Sequence, residues 1–284
     1  MAVEPLVSPA WLAARLGNPA VRPVDLRWYL TEPGRGRAEY DLAHIPGAPY
    51  LDLDADLAAP RGQGPGRHPL PGPAHFAAAA GRAGIGMATH VVAYDASGGA
   101  YAARLWWLLR YFGHERVSLL DGGWPAWQAA GYPAEQAAPA IAPASFVALA
   151  RPWLVVGATA VDALRRDPRA LVLDARAAER YEGRVEPIDP QAGHIPGARS
   201  APFAANLRSD GRMRSADELR AHYHALGADA ADTVVCYCGS GVTAAHTIFA
   251  LQLAGRTDAL LYEGSWSDWS SDPARPVATG AEAG

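Results

Sequence analysis

Residues 233–243 read Thr233-Val234-Val235-Cys236-Tyr237-Cys238-Gly239-Ser240-Gly241-Val242-Thr243, and a helix-forming run, Ala244 to Leu253, follows directly. An apolar run, a short glycine-containing loop and a helical pattern spell strand, tight loop, helix. A loop of this kind that opens a helix gathers several backbone N–H groups into one concavity, and with the helix dipole it forms an anion site. Cys238 stands at the first loop position, so the anion it favours is the Cys238 thiolate, a competent nucleophile. The chain therefore reads as a cysteine-nucleophile enzyme.

The same passage has a partner earlier in the chain. His90 to Gly99 matches Thr233 to Val242 position for position, with Asp95 where Cys238 stands. Two further blocks recur in the same order. Asp41 to Ala48, ending His-Ile-Pro-Gly-Ala, returns as Gln191 to Ala198, and Asp121 to Trp127 returns as Glu263 to Trp269. Two copies of such length mean tandem duplication of a globular domain. In each copy short β-rich runs alternate with helical patterns such as Ser215 to Leu226, which predicts an α/β domain with a mostly parallel sheet flanked by helices. The expected division is a catalytically silent domain over 1–134, an Ala- and Pro-rich connector over 135–150, and a catalytic domain over 151–284. A carboxylate at Asp95 cannot do the chemistry of a thiolate, so one active site per chain is expected. Asp95 reads as a loop-capping carboxylate.

The remaining composition narrows the class. The chain has 284 residues, half of them apolar, and a formal net charge of -4. That is length enough for two cores, with no general field for nucleic acid. No apolar run approaches the roughly 18 residues that span a bilayer, and the first residues lack a basic leader before a long apolar stretch, so a cytoplasmic location is the default. Two cysteines exclude a disulfide scaffold and suit a reducing compartment. Cys236 and Cys238 lack nearby ligands at zinc spacing, and Cys236 reads as a small buried hydrophobe. Phosphate-ester hydrolysis uses a similar loop but needs an arginine at the place of Ala244. Gly81, Gly84 and Gly86 have the wrong spacing, and the wrong side of a strand, for a dinucleotide fingerprint.

Cys238 to Ala244 (CGSGVTA), the two HIPGA segments, DGGWPAW and YEGSWSDW together resemble the two-domain rhodanese family, the thiosulfate and 3-mercaptopyruvate sulfurtransferases, over nearly the whole chain. The CGSGVTA form is more similar to the mercaptopyruvate branch. The resemblance implies that Cys238 takes sulfur from a small anionic donor as a persulfide and passes it to cyanide or a thiol such as reduced thioredoxin, with no metal or organic cofactor. A persulfide carrier with poor turnover is the alternative. The resemblance further maps donor binding onto Arg180 and the loop of Gly239, Gly241, Val242 and Thr243. It maps a proton relay onto Ser240, His68 and either Asp54 or Asp52, and a cleft-lining aromatic onto Trp28. The chain departs from the family where a GxEPEPR-like segment would end in arginine. Gly183 to Asp189 ends in Asp189, which is expected to repel an anionic donor unless it points away, and Arg184 is the expected compensation. His44 and His194 recur in both copies, so they read as histidines of the fold.

Overall fold

A computed structural model describes residues 3–284. Two compact units emerge. The first comprises the described residues 3–59, 71–151 and 209–213; the second comprises residues 60–70, 152–208 and 214–284. The division thus differs from a single cut through the connector, because residues 60–70 of the first half fold with the second unit. The connector is also held rather than loose. Ala144 N–H donates to the Gly81 carbonyl, Leu149 N–H to that of Phe112, and buried Phe146 meets Phe76 edge-on at 5.5 Å.

In the first unit the strands are β1 (Leu6–Val7), β2 (Val21–Asp25), β3 (His90–Tyr94) and β4 (Val117–Leu120), in the order β1-β4-β3-β2. In the second they are β5 (Val155–Val156), β6 (Ala170–Asp174), β7 (Arg199–Ser200), β8 (Thr233–Tyr237) and β9 (Leu260–Tyr262), in the order β5-β9-β8-β6-β7. Every pairing between these nine strands is parallel. A parallel strand is covered by helices on both faces and so is apolar along its length, not alternating. β3 is buried at all five positions, and β8 at all but the first. The helix after β8, Thr243–Leu253, is buried continuously from Ala244 to Leu251, as its apolar sequence demands. Helix Ala216–Ala225 begins at Ser215 with a reciprocal Ser215–Glu218 capping box.

The repeated residues do the same work twice. Asp25 at the end of β2 forks onto Arg27, whose Nη2 reaches the Ala43 carbonyl at 2.7 Å; Asp174 forks onto Arg176, whose Nη2 reaches the Gly193 carbonyl at 2.7 Å. His44 Nδ1 lies 2.8 Å from the Tyr40 carbonyl and His194 Nδ1 2.8 Å from that of Tyr181, each imidazole stacked on that tyrosine's ring. Both histidines are fully buried. These Nδ1 contacts and ring stacks tie each histidine to the turn that leads into its His-Ile-Pro-Gly segment.

Candidate active site

Cys238 follows β8 at the carboxyl end of the sheet, where ligands of parallel α/β domains bind. It is 2% exposed. The loop that carries it is braced from one side. Trp266 N–H donates to the Cys238 carbonyl at 2.9 Å, Ser267 N–H to the Gly239 carbonyl at 2.9 Å, and Cys238 N–H to Ser265 Oγ at 3.1 Å. Gly241 has φ +77°, and a Cβ there would stand 2.6 Å from the Glu263 carbonyl oxygen. Only glycine fits that close left-handed turn. Val242 then leads into the helix that starts at Thr243, whose first N–H groups lack intrahelical partners. Cys236 is fully buried, and burial pushes its thiol well above the ordinary range.

The first unit reveals what such a loop holds. Asp95 is fully buried, and its carboxylate accepts the N–H groups of Ser97, Gly99, Tyr101 and Ala102 at 2.7 to 2.9 Å. An anion fills the cradle at the position that corresponds to Cys238.

Residues 60–70 dock on the brace. A Cβ at Gly66 would lie 2.5 Å from the Gly264 carbonyl, and Arg67 N–H donates to Ser267 Oγ at 3.1 Å. That contact carries His68 to Ser240, where Nδ1 and Oγ lie 2.7 Å apart, both residues being buried. Asp54 belongs to the first unit, where it accepts the Trp28 indole N–H at 2.9 Å. Asp52 is committed to its own turn, accepting the N–H groups of Asp54 and Ala55.

Arg180 sits on the short helix Ala178–Tyr181 after β6 and is paired with Glu186 at 2.7 Å and Asp189 at 3.1 Å, not with Glu179 or Glu182. Asp189 neither repels from open space nor points away, because Arg67 and Arg180 both hold it. Arg184 gives no compensation; it is exposed and pairs with Glu182. Arg67, from residues 60–70, is the residue that pairs with Asp189 beside Arg180. The available signal was its position beside His68. Ser265 was overlooked. Among the described residues it is the one non-glycine with positive φ, +53°.

A buried cysteine loop, a buried serine–histidine pair and two guanidinium groups lie within the second of two duplicated parallel α/β units. A family profile described as "Rhodanese-like domain" matches residues 8–130 and 157–272, and the chain belongs to the rhodanese family. It is 46% identical over 283 residues to a Pseudomonas aeruginosa protein named "Probable 3-mercaptopyruvate sulfurtransferase", covering 99% of this chain and 100% of that one. It is 41% identical over 275 residues to the human "3-mercaptopyruvate sulfurtransferase", covering 93% and 91% respectively. Among solved structures, Escherichia coli SseA, described as a 3-mercaptopyruvate sulfotransferase with the rhodanese fold, is similar with a TM-score of 0.83 and 34% identity over 93% of this chain and 100% of that one.

Proposed function

We propose that the protein is a sulfurtransferase that takes sulfur from 3-mercaptopyruvate in preference to thiosulfate, holds it as a Cys238 persulfide, and yields it to cyanide or a thiol such as reduced thioredoxin. The observation that carries the donor preference is the 2.7 Å contact between His68 Nδ1 and Ser240 Oγ, two residues beyond the nucleophile. A thiol donor has a proton to move, and thiosulfate has none. In the first step the Cys238 thiolate attacks the donor sulfur. The carbon–sulfur bond breaks, its electron pair stays on carbon, and the thiol proton passes to that carbon by way of Ser240 and His68, giving pyruvate and the persulfide anion. In the second step the acceptor attacks the outer sulfur and the Cys238 thiolate leaves. The chemistry needs no oxidant. Two free cysteines and acceptance by thiols suit the cytoplasm.

Intact-mass spectrometry after exposure to each donor, paired with steady-state rates, tests this reading. The expected result is a gain of one sulfur on Cys238 and a higher kcat/KM for mercaptopyruvate, with Ser240→Ala lowering the mercaptopyruvate kcat by on the order of a hundredfold. A wild-type preference for thiosulfate that Ser240→Ala leaves unmoved overturns it.

A further inference from the structure

We infer that Arg67 is a donor-binding residue, forming with Arg180 a two-guanidinium clamp for the carboxylate end of the donor, and that Asp189 is the residue that positions it. The clamp belongs to the same site as the proposed sulfur transfer and rests on that reading. Arg67 lies far from Cys238 in sequence, but its guanidinium arrives beside the nucleophile. Its Nη2 lies 2.9 Å from where a Gly239 Cβ would stand, and the Arg180 Nη1 and Nη2 lie 3.5 and 3.8 Å from the same point. The two cations therefore converge over the residue that follows Cys238. Gly239 is what leaves them room.

Three features make Arg67 a ligand-binding group instead of a mere partner of Asp189. Asp189 takes only its Nη1. Its Nε is buried and has no hydrogen-bond partner among the described residues. A buried N–H left unpaired costs about 1–3 kcal/mol, and a carboxylate oxygen of a bound donor would remove that cost at Arg67. The Nε and Nη2 edge is also the edge of a guanidinium that grips a carboxylate with two parallel hydrogen bonds. Asp189 is 97% buried at its side chain, since only 3% is exposed, and it bridges Arg67 and Arg180 so that both are aimed before a donor arrives. The cluster of Arg67, Arg176 and Arg180 against Asp174, Glu186 and Asp189 is balanced in formal charge. An incoming monoanion then meets oriented donors without facing a site of large excess positive charge, which a dianion such as thiosulfate would prefer.

Arg67→Gln and Arg67→Lys, assayed for donor KM, kcat, acceptor KM and competitive inhibition by pyruvate, test the clamp. Pyruvate carries the same carboxylate with no sulfur to transfer. Arg67→Gln is expected to raise the mercaptopyruvate KM and the pyruvate inhibition constant together, by on the order of tenfold to a hundredfold, with the acceptor KM unchanged. Arg67→Lys keeps the charge beside Asp189 but lacks the fork, so both constants still rise by several-fold in a folded enzyme. Unchanged donor KM and pyruvate inhibition in either folded variant overturn the assignment. If the glutamine variant does not fold, the lysine variant decides. Wild-type protein that gains no sulfur from either donor refutes the transfer reading itself, a result separable from failure of the arginine variants alone.

Discussion

At the scale of single residues, two buried cysteines two positions apart stand on different elements. Cys236 lies within β8, where burial pushes its thiol up, whereas Cys238 is the first residue of the braced loop that follows. Cys238→Ser is therefore expected to abolish sulfur uptake and turnover, while Cys236→Ser keeps most of the activity at a modest loss of melting temperature. Equal losses of activity in the two variants would sink the assignment of a single nucleophile. Ser265 supplies a second test. It holds a left-handed backbone that costs a non-glycine residue on the order of 1 kcal/mol, and its counterpart Gly123 has φ +55° without that penalty. In exchange its hydroxyl accepts Cys238 N–H and donates to the Tyr262 carbonyl. Ser265→Gly should keep or raise the melting temperature while lowering kcat several-fold, because the strain and the brace disappear together. A fall in melting temperature with kcat unchanged would mean that the hydroxyl serves the fold alone.

At the scale of elements, what the sequence made legible was whatever both copies retain. The strand, loop and helix around Cys238 were readable because each has a local cause: the apolar run of β8, the Gly241 turn, and the unbroken buried stretch from Ala244 to Leu251. Residues 60–70 were not readable. Glycines and prolines give that stretch no periodicity, and its allegiance to the second unit rests on long-range pairs such as Arg67 with Asp189, which share no local pattern. The same blindness hid His90, an apolar-strand residue that proves to be an ionisable group refusing its proton. Burial, aided by the nearby Arg116 and Arg15 cations, lowers its pKa to about 4, and its Nε2 lies 2.7 Å from Ser118 Oγ. The unfolded chain takes up that proton near the ordinary histidine value of about 6.5 and the folded chain does not, so stability is lost as pH falls from about 6.5 to about 4. Melting temperatures at pH 7.5 and pH 5 should show a larger acid loss in wild type than in His90→Gln. Parallel losses in the two would remove His90 as a cause.

At the scale of the whole chain, the two copies of the loop differ in the residue placed at the cradle, Asp95 in one and Cys238 in the other. The first unit keeps the strand, the loop and the four N–H donors, but it fills them permanently with its own carboxylate. The second leaves the same place to a thiol. Asp95 is thus a structural anion, and Asp95→Ala would strand four N–H groups. At about 1–3 kcal/mol for each buried donor left unpaired, the melting temperature should fall clearly while the kcat of the folded fraction stays near wild type. Restoring a thiol with Asp95→Cys asks the sharper question of whether a cradle alone makes a sulfurtransferase site. On the proposed reading transfer also needs a donor anchor, and the first unit lacks a counterpart of Arg180: the residue before Tyr181 is Arg180, whereas the residue before the corresponding Tyr40 is Glu39. Asp95→Cys protein incubated with excess mercaptopyruvate should therefore gain one sulfur per chain, on Cys238, as wild type does. Mass spectrometry of the separated peptides would locate it, and a second sulfur on residue 95 at a comparable rate would mean that the loop amides, and not the arginines, are what make the site reactive.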